Sequence, residues 1–375
     1  MPDITVSTRP EPASPDVAGP LATELAAQVV DQTLPDVAPP ELRQMRSYEI
    51  VAAAVAGVVS IYVGLAVLTS VTAEVRIALT VVGLLALFVA YRGLGRRLAG
   101  PEFRAGWWLA VAWLVLVVLS AVFADLLPFT EARNPSKTFS EPVLAPPDLL
   151  SRHPLGTDRQ GLDILGGIAY GLRVSVTVGL GAVAIGMVVG GVIGTIAGYR
   201  RKAIDHVIEL FTNSMLAFPP LVLLLGVAAV LERNTLNTTL ALSVVAIPVY
   251  VRLARSTAIV VSQREFVTAA RAIGAKDRHI IIRDIIPIVV RPVMAYGFVM
   301  IAALIVAEAS LSFLGLGIPR PKPTLGNMIS AGQSDFDRYP HLVFAPAIVL
   351  LITVLCLNQV GEYVQEKLSP KQAKI

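Results

Sequence analysis

Apolar runs of about the length a helix needs to cross a bilayer recur along this chain, and no other feature restricts its fold so severely. A backbone in hydrocarbon must satisfy its own amides and carbonyls, so each such run is read as a helix. The composition agrees. The 375 residues are 55% hydrophobic and 15% charged, with a mean hydropathy of +0.69, too apolar for a soluble globular chain of this size. The expected fold class is all-α, a polytopic membrane protein of about eight transmembrane helices.

Charge orders the runs. Residues 1–45 are rich in proline (Pro10, Pro12, Pro15) and acids (Glu11, Asp16, Glu24) with no signal-like apolar run, the composition of a disordered tail. Ile50–Val71 and Val75–Tyr91 form a tight helical hairpin within 46–106. Arg43 and Arg46 before it, and Arg92, Arg96, Arg97 and Arg104 after it, place both flanks in the cytoplasm. Trp107–Leu127 opens segment 107–170, whose acids (Asp125, Glu131, Glu141, Asp148, Asp158, Asp163) mark an exterior loop. In Ser175–Tyr199, Ala182, Gly186, Gly190, Gly194 and Gly198 repeat every fourth residue and make one smooth helix edge. Spans over Ala217–Leu231 and Leu240–Val251 follow, with kinks or displaced ends expected at Pro219, Pro220 and Pro248. The basic segment 252–291 is a cytoplasmic loop, Pro292–Phe313 leads outward, Gly315–Leu342 is exterior, and Val343–Val360 returns. Both termini are thus expected in the cytoplasm.

One stretch inside that loop differs from the spans. Phe266, Ala269, Ala270 and Ile273 recur at helical spacing, giving a short helix an apolar face with Arg264 and Arg271 elsewhere on its surface. Ser262 and Glu265 stand as in a capping box, and Gly274 can take the left-handed conformation that ends a helix. Such a helix either docks into a partner or lies on the membrane surface. Catalytic signatures are absent: there is no G-x-x-x-x-G-K-S/T loop, G-x-S-x-G elbow or H-E-x-x-H pair. Cys356 stands alone, and His153, His206, His279 and His341 lack partners at ligand spacing, so no metal site is expected. The net charge of +4 follows topology rather than nucleic-acid binding. Glu308 is a functional candidate because desolvating a carboxylate in a span is costly. Its alternative is a structural acid bonded to neighbouring helices or to Ser310 and Ser312.

Phe266–Gly274, followed by Ile285, Ile286 and Pro287, resembles the "EAA" loop of ABC importer permeases. Glu308–Gly317 is similar to the outer end of a late span in dipeptide and oligopeptide permeases of the DppC/OppC type. His153–Asp158 with Gly161 and Asp163, Gly198 and Tyr199 with Asp205, Ala217–Pro219, and Asn358 with Gly361 fall in the family's order, so the resemblance covers roughly residues 107–370.

It implies a six-helix permease core, its body at 171–370, with the 46–106 hairpin as an addition. It also implies a bacterial plasma membrane location, a second permease subunit in a heterodimer, two cytoplasmic ATPase subunits carrying ATP and Mg, and an extracytoplasmic substrate-binding protein. No cofactor is expected on this chain. By the same resemblance Glu265, Phe266, Ala269, Ala270, Arg271, Ile273 and Gly274 couple to the ATPases, while Glu308, Ser310, Ser312, Asp158 and Asp163 are pathway or structural candidates. Leu162, Asp284 and Ile288 depart from the family's usual residues, as does the region of Arg201 and Lys202, which bears on substrate: peptides, or else nickel chelates or glutathione. Two readings from other classes compete. An ion-coupled secondary transporter calls for inverted repeats, of which none is clear, and a membrane-anchored interaction protein would need no pathway.

Overall fold

The computed structural model describes residues 47–63, 73–100, 103–126, 131–148 and 151–368. The expected tail, part of the hairpin turn and residues 369–375 lie outside these residues. The chain divides into two compact units, Met1–Phe103 and Arg104–Ile375.

In the first unit, α1 (Ser47–Tyr62) and α2 (Ala73–Ala99) pack as an antiparallel pair. They approach most closely at Gly57 and Gly83, where a Cβ on either would come within 2.8 Å of the other's carbonyl oxygen. Only glycine lets two helix backbones meet so closely. Arg97 donates to Ser47 Oγ at 2.5 Å near the helix ends.

The second unit holds α3 (Ala105–Phe123), α4 (Ile164–Arg200), α5 (Lys202–Ala217), α6 (Pro220–Val230), α7 (Thr235–Val261), α8 (Glu265–Ala272), α9 (Asp277–Ile280), α10 (Ile286–Phe313), α11 (Leu325–Gly332) and α12 (His341–Leu368). Among the described residues there is no strand, only an isolated bridge between Thr157 and Asp163. The 37 residues of α4 make a rod of about 55 Å, longer than a hydrocarbon core of roughly 30 Å, so its ends stand clear of the apolar layer.

The glycine repeat of α4 lies against α7, which runs parallel to it. A Cβ on Gly186 would meet Ala246, one on Gly190 would meet Ile247 and Tyr250, one on Gly194 Val251 and Ala254, and one on Gly198 Arg255 and Ala258. The smooth edge therefore admits the backbone of α7 for four turns, and Ala182, Tyr250, Ala254 and Ala258 are sealed within the seam. α10 packs on both helices, and α12 and α3 pack beyond it, joined by Trp113 Nε1 donating to Thr353 Oγ1 at 3.1 Å.

Among the described residues six helices are long and apolar enough to cross a bilayer, or seven with α5 and α6 taken as one broken span. The run Ile50–Val71 leaves the described residues after 63, so the remaining span of the expected eight lies partly outside them. The span expected at Ala217–Leu231 is the second half of that broken pair, which bends by 93°. Phe218, preceding Pro219, is extended at φ −78 and ψ 137, and Pro220 occupies the first turn of α6. The span expected at Leu240–Val251 extends over all of α7, with Pro248 inside it. Within the segment expected to be an exterior loop, α11 is closed by a capping box of Thr324 and Asn327.

Candidate functional site

The second unit has a loop end, where α8 lies, and a cap end, built from residues 131–148, 151–166 and 318–341. α8 is amphipathic across its short axis. Val267 is fully buried in the main core cluster, with Ala270 and Ala275 packed at its edge. On the other side Phe266 is 45% and Ile273 86% exposed, and Ala269 is exposed with them. Ala270 thus sits between the buried face and the open one.

The capping box expected from Ser262 and Glu265 does not form. Ser262 closes α7 instead: its Oγ donates to Ile259 O at 2.9 Å, and Arg201 Nη2 lies 3.4 Å from the same hydroxyl. Arg264 is the N-cap residue and contributes no side-chain bond, while Glu265 in the first turn and Arg271 in the last suit the helix dipole. The far end matches the expected stop. Gly274 has φ +84, Ala275 N donates to Ala270 O and Gly274 N to Arg271 O, both at 3.0 Å, which is a Schellman closure. A Cβ on Gly274 would meet nothing within 4 Å, so its requirement is conformational alone. A π turn at Ile281–Ile285 then leads into α10, because Pro287 has no N–H to continue the α pattern.

Behind α8, Arg271 lies over the Tyr199 ring at 5.0 Å, and Tyr199 donates its hydroxyl to Asp277 Oδ1 at 2.7 Å. Tyr199 belongs to the last turn of α4, so the short helix is fastened to the longest of the described α-helices. Nothing in the spacing of Tyr199 and Asp277 announces this contact, since their meeting depends on the α4–α7 register. Beside α8 opens a cavity of about 1360 Å³ lined by Leu253, Arg264, Phe266, Arg291, Tyr296 and Lys367, among others.

The other predicted residues lie toward the cap. Glu308 is fully buried between α10 and α4, accepting from Ser312 Oγ at 2.7 Å and Ser175 Oγ at 3.2 Å. Ser310 does not join this group, because it faces away and donates to Val306 O at 2.8 Å. Ser175, on α4 six helices earlier, takes its place. Asp163 caps α4, accepting from Gly166 N at 2.7 Å, and lies 3.2 Å from His153 Nδ1. His153 Nε2 is 3.1 Å from Glu141 Oε2. Asp158 accepts from Gln160 N and Leu162 N and lies 3.4 Å from Arg320 Nη1. Asp158 and Asp163 hold the cap's backbone in shape. Of the seven loop residues Phe266, Ala269 and Ile273 share the open face while Arg271 turns to the back of α8, and Glu308 stands at the opposite end of α10.

The family described as "Binding-protein-dependent transport system inner membrane component" matches residues 190–374. The Di/tripeptide transport system permease protein DppC of Pseudomonas aeruginosa is 32% identical over 263 residues, 69% of this chain and 86% of that one. The Dipeptide transport system permease protein DppC of Alkalihalophilus pseudofirmus is 34% identical over 268 residues, 70% and 86% of the two chains. The Glutathione transport system permease protein GsiD of Pectobacterium atrosepticum is 34% identical over 221 residues, 59% and 73%. A solved structure, the inward-facing MetNI methionine ABC transporter, aligns with TM-score 0.45 at 15% identity over 54% of this chain and 97% of that one. With relatives of this identity covered over most of their length, the chain belongs to the binding-protein-dependent permeases, the multi-pass membrane subunits of ABC importers.

Proposed function

We propose that this permease carries di- and oligopeptides, forming the pathway with a second permease, and that α8 docks into a groove on a cytoplasmic ATPase. The observation that carries the coupling assignment is the division of α8 into two faces. Phe266, Ala269 and Ile273 are open, while Val267 and Arg271 fasten the helix to its own bundle. A helix displaying apolar side chains to solvent while its other face is packed on its own bundle suits groove recognition. The basic segment 252–291 supports a cytoplasmic position for it, and the acidic cap an exterior one facing the substrate-binding protein. ATP and Mg belong to the ATPases in this reading, and the chain itself needs no cofactor.

Closure of the ATPase pair would push α8, and the stacked Arg271 and Tyr199 would carry the displacement into α4. The cavity beside Phe266 would then be this subunit's share of the inward mouth. Glutathione is the second substrate reading, favoured by the GsiD relative.

The test is reconstitution in vesicles with the partner permease, candidate ATPases and binding protein. Ile273→Asp should abolish ATPase copurification and peptide uptake while the protein stays in the membrane, because the groove would bury a charge. Uptake driven by an ion gradient without ATP, or undiminished ATPase binding by Ile273→Asp, would overturn the assignment.

A further inference from the structure

At the loop end of α4 the chain reverses through Arg201, at φ +50, and enters α5. This reversal and the back of α8 wall an open cavity of about 500 Å³. Arg200, Arg201 and Arg271 line it together with Tyr199, Ile204 and one carboxylate, Asp277. Most of these groups are occupied. Asp277 takes the Tyr199 hydroxyl, Arg271 covers the ring, and Arg201 donates to Ile259 O at 3.2 Å. Arg200 is exposed and has no hydrogen-bond or ionic partner among the described residues. The cavity is left cationic.

A second feature begins inside it. From Ile204 an apolar stripe runs along α5 through Val207, Leu210 and Phe211, exposed by 42%, 68%, 71% and 66%. The opposite face of α5 is polar and already bound, since Arg255 holds Asp205 and Glu209, and Arg252 holds Asn213. α5 thus has the character of a helix lying at a membrane interface, with its apolar side toward lipid. A partner that satisfies both the guanidiniums and the stripe must carry an anionic phosphate joined to long apolar chains.

We infer that this cavity binds the phosphate of an anionic phospholipid whose acyl chains lie along Ile204, Val207, Leu210 and Phe211. Arg200 supplies the open donors, and its guanidinium geometry suits phosphate oxygens. A basic pocket beside transmembrane helices is the usual place for such a headgroup. Because Arg271 belongs to α8 as well, the lipid would sit against the back of that helix. The site requires only that the bundle be in a bilayer, so it stands or falls separately from the ATPase assignment.

The experiment uses the full chain in vesicles of equal parts phosphatidylglycerol and phosphatidylcholine, with spin-labelled versions of each lipid as probes. The unaltered protein should hold labelled phosphatidylglycerol in preference to phosphatidylcholine, and Arg200→Gln should cut that preference about fivefold. Leu210→Ser, on the stripe alone, should lower retention of both lipids. An unchanged preference in Arg200→Gln would overturn the site, as would equal displacement of the labelled lipid by soluble glycerophosphate, which has no acyl chain. So would loss of ATPase copurification in Arg200→Gln with lipid preference intact, because the cavity would then belong to the ATPase.

Discussion

At the cap end, Arg159 forms a two-pronged pair with Asp335, 176 residues away in sequence, whereas at the loop end α8 hangs on Val267 and an arginine stacked over Tyr199. The cap adds Arg173 and Arg133 on Asp125, His153 between Asp163 and Glu141, and a buried Thr157 hydroxyl that donates to Pro142 O and accepts from Ala145 N. These bonds tie segments far apart in sequence and leave few ways to shift without breaking several at once. At the loop end α8 itself turns an apolar face outward and is moored at few points. A permease that transmits a push is best anchored at one end and compliant at the other, and the two ends differ in that sense.

The comparison breaks most readily at Gly274. Gly274→Val forces a β-branched residue into the left-handed region, costing about 1–2 kcal/mol or more, and misdirects the chain leaving α8. Peptide uptake should fall by more than tenfold while membrane abundance stays within about twofold. Gly274→Asn should retain most of the activity, since asparagine tolerates that conformation. Normal uptake by the valine variant would mean that the exit angle of α8 does not matter.

Asp163→Ala tests the rigid end. It removes the cap of α4 and one carboxylate beside buried His153, together about 2–3 kcal/mol. The expected result is a lower unfolding temperature in detergent, with faster amide exchange across residues 131–166 and unchanged exchange in α8. Equal loosening at both ends would show that the cap and loop end are not separate.

These differences were only partly legible in the sequence. Hydropathy marked the long spans because crossing a bilayer demands an unbroken apolar run. It passed over α5, whose Asp205 and Glu209 interrupt the run because they belong to an ion pair with Arg255. The four-residue glycine repeat showed that α4 has a smooth edge but not that α7 fills it, since periodicity describes one surface and never its partner. Gly274 was readable because a left-handed stop is a local property. Ser262 misled for the converse reason: its hydroxyl could cap the next helix or close the previous one, and the preceding turn of α7 took it. Glu308 was marked by its cost of burial, yet its partner Ser175 lies 133 positions away, beyond any local rule.

A smaller effect is expected at the mooring. Tyr199→Phe keeps the ring under Arg271 and removes only the hydroxyl bonded to Asp277, worth about 1 kcal/mol. ATP hydrolysis in the assembled importer should persist while uptake per ATP falls about twofold to fivefold. An unchanged ratio would move the transmission route away from α4.

The smallest expected effect is the response to acid, and its sign follows from how the cap holds its carboxylates. The hydrogen bond from Arg159 keeps Asp335 below the usual carboxylate range, and the one from Arg173 does the same for Asp125. Burial pushes Glu131 up, but the backbone N–H groups of Arg133 and Asn134 outweigh it, and the net shift is downward. A group whose folded pKa is depressed contributes stability that is fully present above its unfolded value and is lost as pH falls through the folded one. Between neutrality and about pH 5 these three carboxylates stay charged, so their share of the cap's stability should not change. Below about pH 4 its amide protection should decline, and Arg159→Gln should remove Asp335's share of that decline. The residues Val267, Tyr199 and Gly274 that hold and end α8 carry no carboxylate, and among the described residues the Asp277 side chain accepts a hydrogen bond from the Tyr199 hydroxyl alone. Amide exchange measured across both segments at a series of acid pH values should therefore show the cap loosening first. If α8 loosened first, the rigid and compliant ends would have been assigned the wrong way round.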